Sequence, residues 1–142
     1  MPDFNQLLLI LHFLGLVFGL SASVVHMMMP ALLAGADPGE ARGLARLPPR
    51  MSQVGGSGLL LLWATGLMLT FTKWGGFGSL PWQFHVKLTA VVLLTLAVGM
   101  AHALQARHRR GDAAAARLLP AVGAVILVMS LIAVVFAVLT FD

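Results

Sequence analysis

The sequence contains no cysteine and very few charged residues. Charged side chains make up 10% of its 142 residues, whereas hydrophobic residues make up 59%. The absence of cysteine excludes disulfides, cysteine-ligated iron–sulfur clusters and covalent c-type haem attachment. The charges are grouped between apolar stretches that are too long for the core of a small soluble protein. The sequence therefore indicates an integral membrane protein, in which imidazole, thioether or oxygen ligands would hold any cofactor.

Four apolar segments predict an all-α, four-helix membrane bundle that forms a single domain, residues 1–142. The expected spans are about 6–29, 52–71, 80–106 and 118–141. Each is long enough to cross a hydrocarbon core of about 30 Å at about 1.5 Å per residue. Pro30 is expected to end the first span, and Pro120 is expected in the first turn of the fourth, where proline is tolerated.

Positive charge is distributed unevenly among the loops. The net charge of +4 would suit nucleic acid, but all seven arginines lie after the first and third spans. The other side of the bundle carries only Lys73 and Lys87. Positive charge in membrane proteins collects on the cytoplasmic side and near anionic lipid. Both termini are therefore predicted to face the periplasm, with the lipid bilayer rather than nucleic acid as the partner.

Four histidines lie within the predicted spans: His12 and His26 in the first, and His85 and His102 in the third. A histidine at membrane depth is costly to leave unpaired. Because these two spans run in the same direction, we expect His12 to pair with His85 on the outer side and His26 with His102 on the cytoplasmic side. Each pair would supply the two axial nitrogens of a b-type haem. The pattern predicts one or two haems.

Small residues accompany these histidines. Gly15 and Gly19 lie on the stripe between the two histidines of the first span, and Gly99 lies one turn before His102. Glycine would allow a flat macrocycle to approach the helix backbone. Gly15 and Gly19 also form a GxxxG pattern, which would serve a partner helix instead.

Lys87 lies one turn inside the third span, two residues from His85. It is either an interfacial anchor or a charge partner for an anionic group such as a haem propionate. It is also the single non-histidine candidate within a span for proton-coupled catalysis.

A copper site is a second interpretation of the first span. His26 is followed by three methionines, and imidazole and thioether are ligands for Cu(I). Consecutive helical residues point about 100° apart, so only His26 and Met29 would converge on one ion. Membrane histidines also commonly form hydrogen bonds to neighbouring helices. The alternative to a haem protein is thus a non-enzymatic copper-handling protein or accessory membrane subunit.

The third span contains the stretch Trp82-Gln83-Phe84-His85-Val86-Lys87, and the first contains Leu11-His12-Phe13-Leu14-Gly15. These motifs, with Gly66-Leu67-Met68-Leu69 at the end of the second span, resemble the haem-containing J-type protoporphyrinogen oxidases of bacteria. The chain is similarly close to the small four-helix proteins related to the copper-resistance D type. The first resemblance implies that His12 is a haem ligand or neighbour and that His85 and Lys87 form an essential pair. It also implies a bacterial plasma-membrane location.

The sequence as a whole predicts a membrane haem b protein that carries out electron transfer or oxidoreduction. Its donor would be a lipid-phase molecule such as a quinol or a porphyrinogen, and an electron-transfer protein would be its partner. The haem would supply the redox chemistry, and the protein would supply ligation and burial.

Overall fold

The computed structural model describes residues 3–141, with side chains described to residue 140. This part of the chain forms five α-helices, followed here in chain order: α1 Phe4–Ala34, α2 Pro38–Leu44, α3 Leu47–Thr72, α4 Trp82–Arg109 and α5 Ala113–Phe141. A short 3-10 helix, Phe77–Ser79, lies between α3 and α4. Within the described residues α1, α3, α4 and α5 are long and apolar enough to cross a membrane. The predicted all-helical fold, with four helices long and apolar enough to span a membrane, is confirmed.

All four long helices extend beyond their predicted spans, and two of the extensions involve a proline. Helix α1 continues past Pro30 to Ala34, and α5 begins at Ala113, so that Pro120 lies inside it rather than in its first turn. A proline removes one backbone donor, and membrane helices tolerate it because neighbouring groups satisfy the freed carbonyl. The expectation that Pro30 ends the first span is therefore wrong.

The short helix α2 was not predicted. Asp37 precedes it and accepts hydrogen bonds from the backbone N–H groups of Gly39 and Glu40 at 2.8 and 2.9 Å. The Glu40 carboxylate accepts in return from the backbone N–H of Asp37, which completes a capping box. Pro38 occupies the first helical position, where its missing N–H costs nothing. Asp-Pro-Gly-Glu is thus the sequence signal for this helix.

Helices α1 and α3 pack against each other as an antiparallel pair along their whole length. At one end the Thr72 hydroxyl donates to the Asn5 side-chain oxygen at 2.8 Å, and at the other Ser52 Oγ lies 3.2 Å from His26 Nε2. For a residue of α1 and the residue of α3 that faces it, the two residue numbers therefore add to about 77, which defines the register of this pair. Near the middle the backbones touch, since a Cβ on Gly58 would lie 2.6 Å from the Gly15 carbonyl oxygen.

Helices α4 and α5 form the second antiparallel pair, held by an apolar core that contains Ala97, Leu104, Ala115 and Val122. Close to the end of this pair the Trp82 ring lies 6.1 Å from that of Phe136 in an edge-to-face arrangement. Alanines facing larger side chains allow the two helices to approach closely, as is common in membrane bundles.

The two hairpins touch each other much less than the helices within each hairpin do. Two hydrogen bonds connect α3 to α4: Trp63 Nε1 donates to Thr95 Oγ1 at 2.9 Å, and Ser52 Oγ donates to Gln105 Oε1 at 2.8 Å. For a residue of α3 and the residue of α4 that faces it, the two residue numbers add to about 158. We call the end of the bundle that holds the start of α1 the termini end, and the opposite one, where the arginines lie, the arginine end.

Candidate cofactor cavity

A cavity of about 860 Å³ lies between the two hairpins and receives side chains from α1, α3, α4 and α5. Most of its wall is apolar. Its charged lining residues among those described are all basic: Lys73, Lys87 and Arg109. An apolar cavity with a few convergent polar groups is the usual form of a small-molecule site, and its volume falls within the roughly 300–1,000 Å³ typical of such sites. The basic wall favours a ligand with negative charge.

His12 is held in one tautomer on the wall of this cavity. Its Nδ1 lies 2.9 Å from Thr65 Oγ1, and the Thr65 hydroxyl donates to the Leu61 carbonyl at 2.6 Å. Because that hydroxyl has a single proton, it must accept from Nδ1–H of His12. The lone pair of His12 therefore lies on Nε2. A hydrogen bond from the other ring nitrogen fixes metal-binding histidines in this way.

Gly66 makes this position of the His12 ring possible. A Cβ at Gly66 would lie 3.2 Å from Cε1 of His12, tighter than most Cβ contacts. The glycine thus leaves room for the imidazole beside the α3 backbone. Position 66 belongs to the Gly66-Leu67-Met68-Leu69 motif, but its contact with His12 was not foreseen.

Lys87 lines the same cavity and is half-buried. Combining the two helix registers places Lys87 about 9 Å along the bundle axis from the level of His12, towards the termini end. His12 and Lys87 therefore present a neutral ligand nitrogen and a cation to one half of the cavity.

His26 belongs to a closed hydrogen-bond network at the arginine end. Its Nδ1–H donates to the Ala22 carbonyl at 2.7 Å, so Nε2 must accept. The Gln105 amide nitrogen lies 3.3 Å from that Nε2, and Ser52 donates its proton to Gln105 Oε1. The network joins α1, α3 and α4. Both ring nitrogens of His26 are thus engaged in holding helices together.

His102 also lines the cavity but has a different environment. Within residues 3–141 neither ring nitrogen has a hydrogen-bond partner. The neighbouring position on α3 is Gly56, where a Cβ would lie 3.7 Å from His102 Nε2 and would meet nothing else within 4 Å. His102 is exposed as His85 is, but unlike His85 it lines the cavity, so its imidazole is accessible from there.

His85 is exposed and does not line the cavity. Its ring lies edge-on, 6.0 Å from the ring of its neighbour Phe84. The position is in the first turn of α4. His85 thus occupies the depth expected of an interfacial residue rather than that of His12.

The structure places His12 and His85 at different levels of the bundle, whereas His26 and His102 line the same end of the cavity. His12 faces Thr65 of α3, and Thr65 is level with about residue 93 of α4. His85 therefore lies about 12 Å from the level of His12 along the bundle axis. His102 lies three residues, about 4.5 Å along the axis, from Gln105, which contacts His26. Both ring nitrogens of His26 are already engaged, so this pair is not available as two haem ligands. The predicted pairs depended only on the parallel direction of α1 and α4. The depths differ, because His12 lies two turns inside α1 and His85 lies at the start of α4.

The three candidate glycines have different surroundings. A Cβ on Gly15 would lie 2.8 Å from the Gly58 carbonyl oxygen, so Gly15 serves the partner helix α3 rather than a cofactor. Gly19 lines the cavity and has free space around it. Gly99 has free space too but is exposed away from the cavity. Of the three, Gly19 alone fits the predicted role beside a cofactor.

The methionine run does not form a copper site with His26. Met27 and Met28 are exposed, whereas Met29 is buried and lines the cavity. Nε2 of His26 already accepts from Gln105, which leaves no free imidazole lone pair for an ion. Among the described residues no group of three or more histidine or acidic side chains could hold a metal ion.

Three polar residues of the site were missed from the sequence: Ser52, Thr65 and Gln105. All three lie within or at the ends of apolar spans. In such surroundings serine, threonine and glutamine commonly bind neighbouring helices. Their position within apolar spans is therefore a sequence signal for contacts between helices, in addition to the histidines.

The fold and the cavity define the class: an all-helical protein with four helices long and apolar enough to cross a membrane, and with a basic, histidine-bearing cavity between two helical hairpins. Comparisons with family models, with curated proteins and with solved structures find no match for this chain. The function must therefore be argued from the residues of the cavity itself.

Proposed function

We propose that this protein binds one b-type haem in the termini-end half of the cavity and acts in electron transfer or oxidoreduction. The observation that carries the proposal is the protonation state and the position of His12. Its proton is held on Nδ1 by Thr65, and its Nε2 lone pair belongs to a ring on the wall of an apolar cavity of about 860 Å³. An axial haem ligand needs this protonation state.

The residues around His12 fit a haem with one histidine ligand. Thr65 would orient the imidazole, and Gly66 keeps space for it beside α3. Lys87 would pair with a propionate, which compensates both charges in apolar surroundings. The haem would supply one-electron chemistry, and the protein would ligate it and exclude water. A second haem is not proposed, because His26 uses both ring nitrogens for other hydrogen bonds.

The proposed donor is a lipid-phase molecule, a quinol or a porphyrinogen. Within residues 3–141 the loops are short and form no soluble domain that would bind another donor. The resemblance to the J-type protoporphyrinogen oxidases supports a porphyrinogen through His12 and Lys87, which line one cavity. The exposed position of His85 does not support it. Under the positive-inside rule the arginine end would face the cytoplasm of a bacterial cell.

An accessory membrane subunit without a cofactor is the second candidate function. The observation that favours it is the hydrogen-bond network of His26, in which a histidine joins three helices. If His12 had the same role, its bond to Thr65 would be purely structural.

Absorption spectroscopy with matched histidine variants separates these candidates. The protein is purified in detergent from haem-replete cells, and the Soret band and the reduced α band are measured. We expect about one haem per chain in the native protein and in His85→Ala, and loss of most haem in His12→Ala. A colourless native protein, or equal haem in both variants, would contradict the proposal.

A further inference from the structure

The arginine-end half of the cavity contains a polar group that the haem proposal does not use. His102 lies about 10 Å, or two turns, inside the Arg109 end of α4. It has no hydrogen-bond partner within residues 3–141. His102 is exposed, and inside a bilayer a polar group without a partner would cost free energy. The open space beside Gly56 is where a ligand atom would meet this imidazole.

The surroundings of His102 favour a neutral ligand. The other polar side chains at this depth, His26, Ser52 and Gln105, satisfy one another. The basic lining residue at this end is Arg109, two turns further out, so an anionic head group would bind there instead. What remains at His102 is one hydrogen-bonding imidazole against an apolar wall.

We propose that this half of the cavity binds the head group of a lipid-phase quinone or quinol, with one of its oxygens hydrogen bonded to His102. The choice of a quinone rests on the proposed function, which requires a lipid-phase redox molecule; the position at His102 does not. The registers place His102 about 13 Å along the axis from the level of His12. The quinone site is therefore separate from the proposed haem site.

The loose contact between the hairpins provides a route to this site. Helices α3 and α4 approach each other at few points, and two side-chain hydrogen bonds connect them. A molecule dissolved in the membrane would reach the cavity sideways between these helices. Its isoprenoid tail would then lie against the apolar wall that both hairpins supply.

The test is a titration of the detergent-purified protein with a short-chain ubiquinone. Trp63 and Trp74 line the cavity, so saturable quenching of tryptophan fluorescence reports binding. Trp63→Phe should remove most of the signal, because Trp63 lies closer to the level of His102. We expect His102→Leu to weaken binding about tenfold, which is the usual effect of losing one hydrogen bond to a ligand. His102→Gln should restore most of the affinity. His85→Leu is the matched control and should bind as the native protein does.

A second variant keeps the test decisive if His102→Leu does not fold. Gly56→Leu fills the space beside Nε2 and should also abolish binding, while leaving the imidazole in place. Absence of saturable quenching, or equal affinities in His102→Leu and His85→Leu, would overturn the inference. Saturable binding of oleate at His102 in place of the quinone would overturn it too.

Haem content, measured on the same samples, distinguishes this inference from the proposed function. Quinone binding in a protein without haem would contradict the haem site alone. A haem-loaded native protein that binds no quinone would contradict the inference alone.

Discussion

The contact between Gly15 and Gly58 sets the distance between α1 and α3. In Gly58→Ala the new Cβ would lie 2.6 Å from the Gly15 carbonyl oxygen and 2.9 Å from Phe18 Cβ. Since Cβ atoms essentially never approach closer than 3.0 Å, the two backbones must separate by at least 0.4 Å. A backbone oxygen, unlike the end of a flexible side chain, cannot move aside alone. The whole hairpin has to adjust.

The expected cost follows from two opposing terms. Overpacking of this kind costs about 1–3 kcal/mol, and replacing a helical glycine with alanine returns about 1 kcal/mol. The net destabilisation should be about 0–2 kcal/mol, which corresponds to a fall in Tm of up to about 8 °C for a chain of this size. The matched control is Gly99→Ala, because a Cβ on Gly99 meets nothing within 4 Å.

The assay is thermal unfolding of both variants in the same detergent, followed by circular dichroism. The same displacement would lengthen the hydrogen bond between His12 and Thr65 from 2.9 Å to about 3.3 Å, so Gly58→Ala should also retain less haem than Gly99→Ala. A Tm for Gly58→Ala equal to or above that of Gly99→Ala would refute the reasoning.

Three further predictions concern single hydrogen bonds. Thr65→Val removes the acceptor for Nδ1–H of His12 and should lower haem affinity about 10- to 100-fold without altering the fold, as measured by haem transfer to apomyoglobin. Gln105→Leu leaves His26 and Ser52 without their partner and should destabilise the protein by about 1–3 kcal/mol in unfolding experiments; stability equal to that of Gln53→Leu, on an exposed position, would contradict this. Hydrogen bonds from the backbone N–H of Ala115, and then from the Arg107 side chain, hold the pKa of Asp112 below its usual value. The ionised Asp112 carboxylate should therefore stabilise the fold fully near neutral pH, and this stabilisation should be lost as the pH falls through the lowered pKa. Asp112→Asn should lose this acid dependence of Tm.

The sequence predicts the helices well because membrane helices have a strong signal in composition. The four long apolar segments could be read directly, and the errors concern their ends, as at Pro30 and Ala113. These errors share a cause. The predicted ends assume that proline ends or begins a helix, as it commonly does in soluble proteins. In a membrane the backbone has no water to replace a helical hydrogen bond, so the helix continues through the proline.

The depth of each histidine could not be predicted in the same way. Each span has an uncertain start, and one turn of helix corresponds to about 5.4 Å. His85 and His12 appeared to share a level because both follow the start of a span. Side-chain contacts such as His12 with Thr65 and Trp63 with Thr95 set the actual register. Those contacts depend on packing between helices that are distant in sequence.

The roles of the cavity histidines are decided by what occupies their ring nitrogens. His26 has both nitrogens engaged within the protein, His12 has one, and His102 has none within the described residues. A fully engaged imidazole holds helices together, and one fixed at Nδ1 alone is prepared to ligate a metal through Nε2. An imidazole with neither nitrogen engaged is suited to an exchangeable ligand, because binding and release break no internal bond. The same side chain at three depths thus has three different hydrogen-bonding states in one cavity.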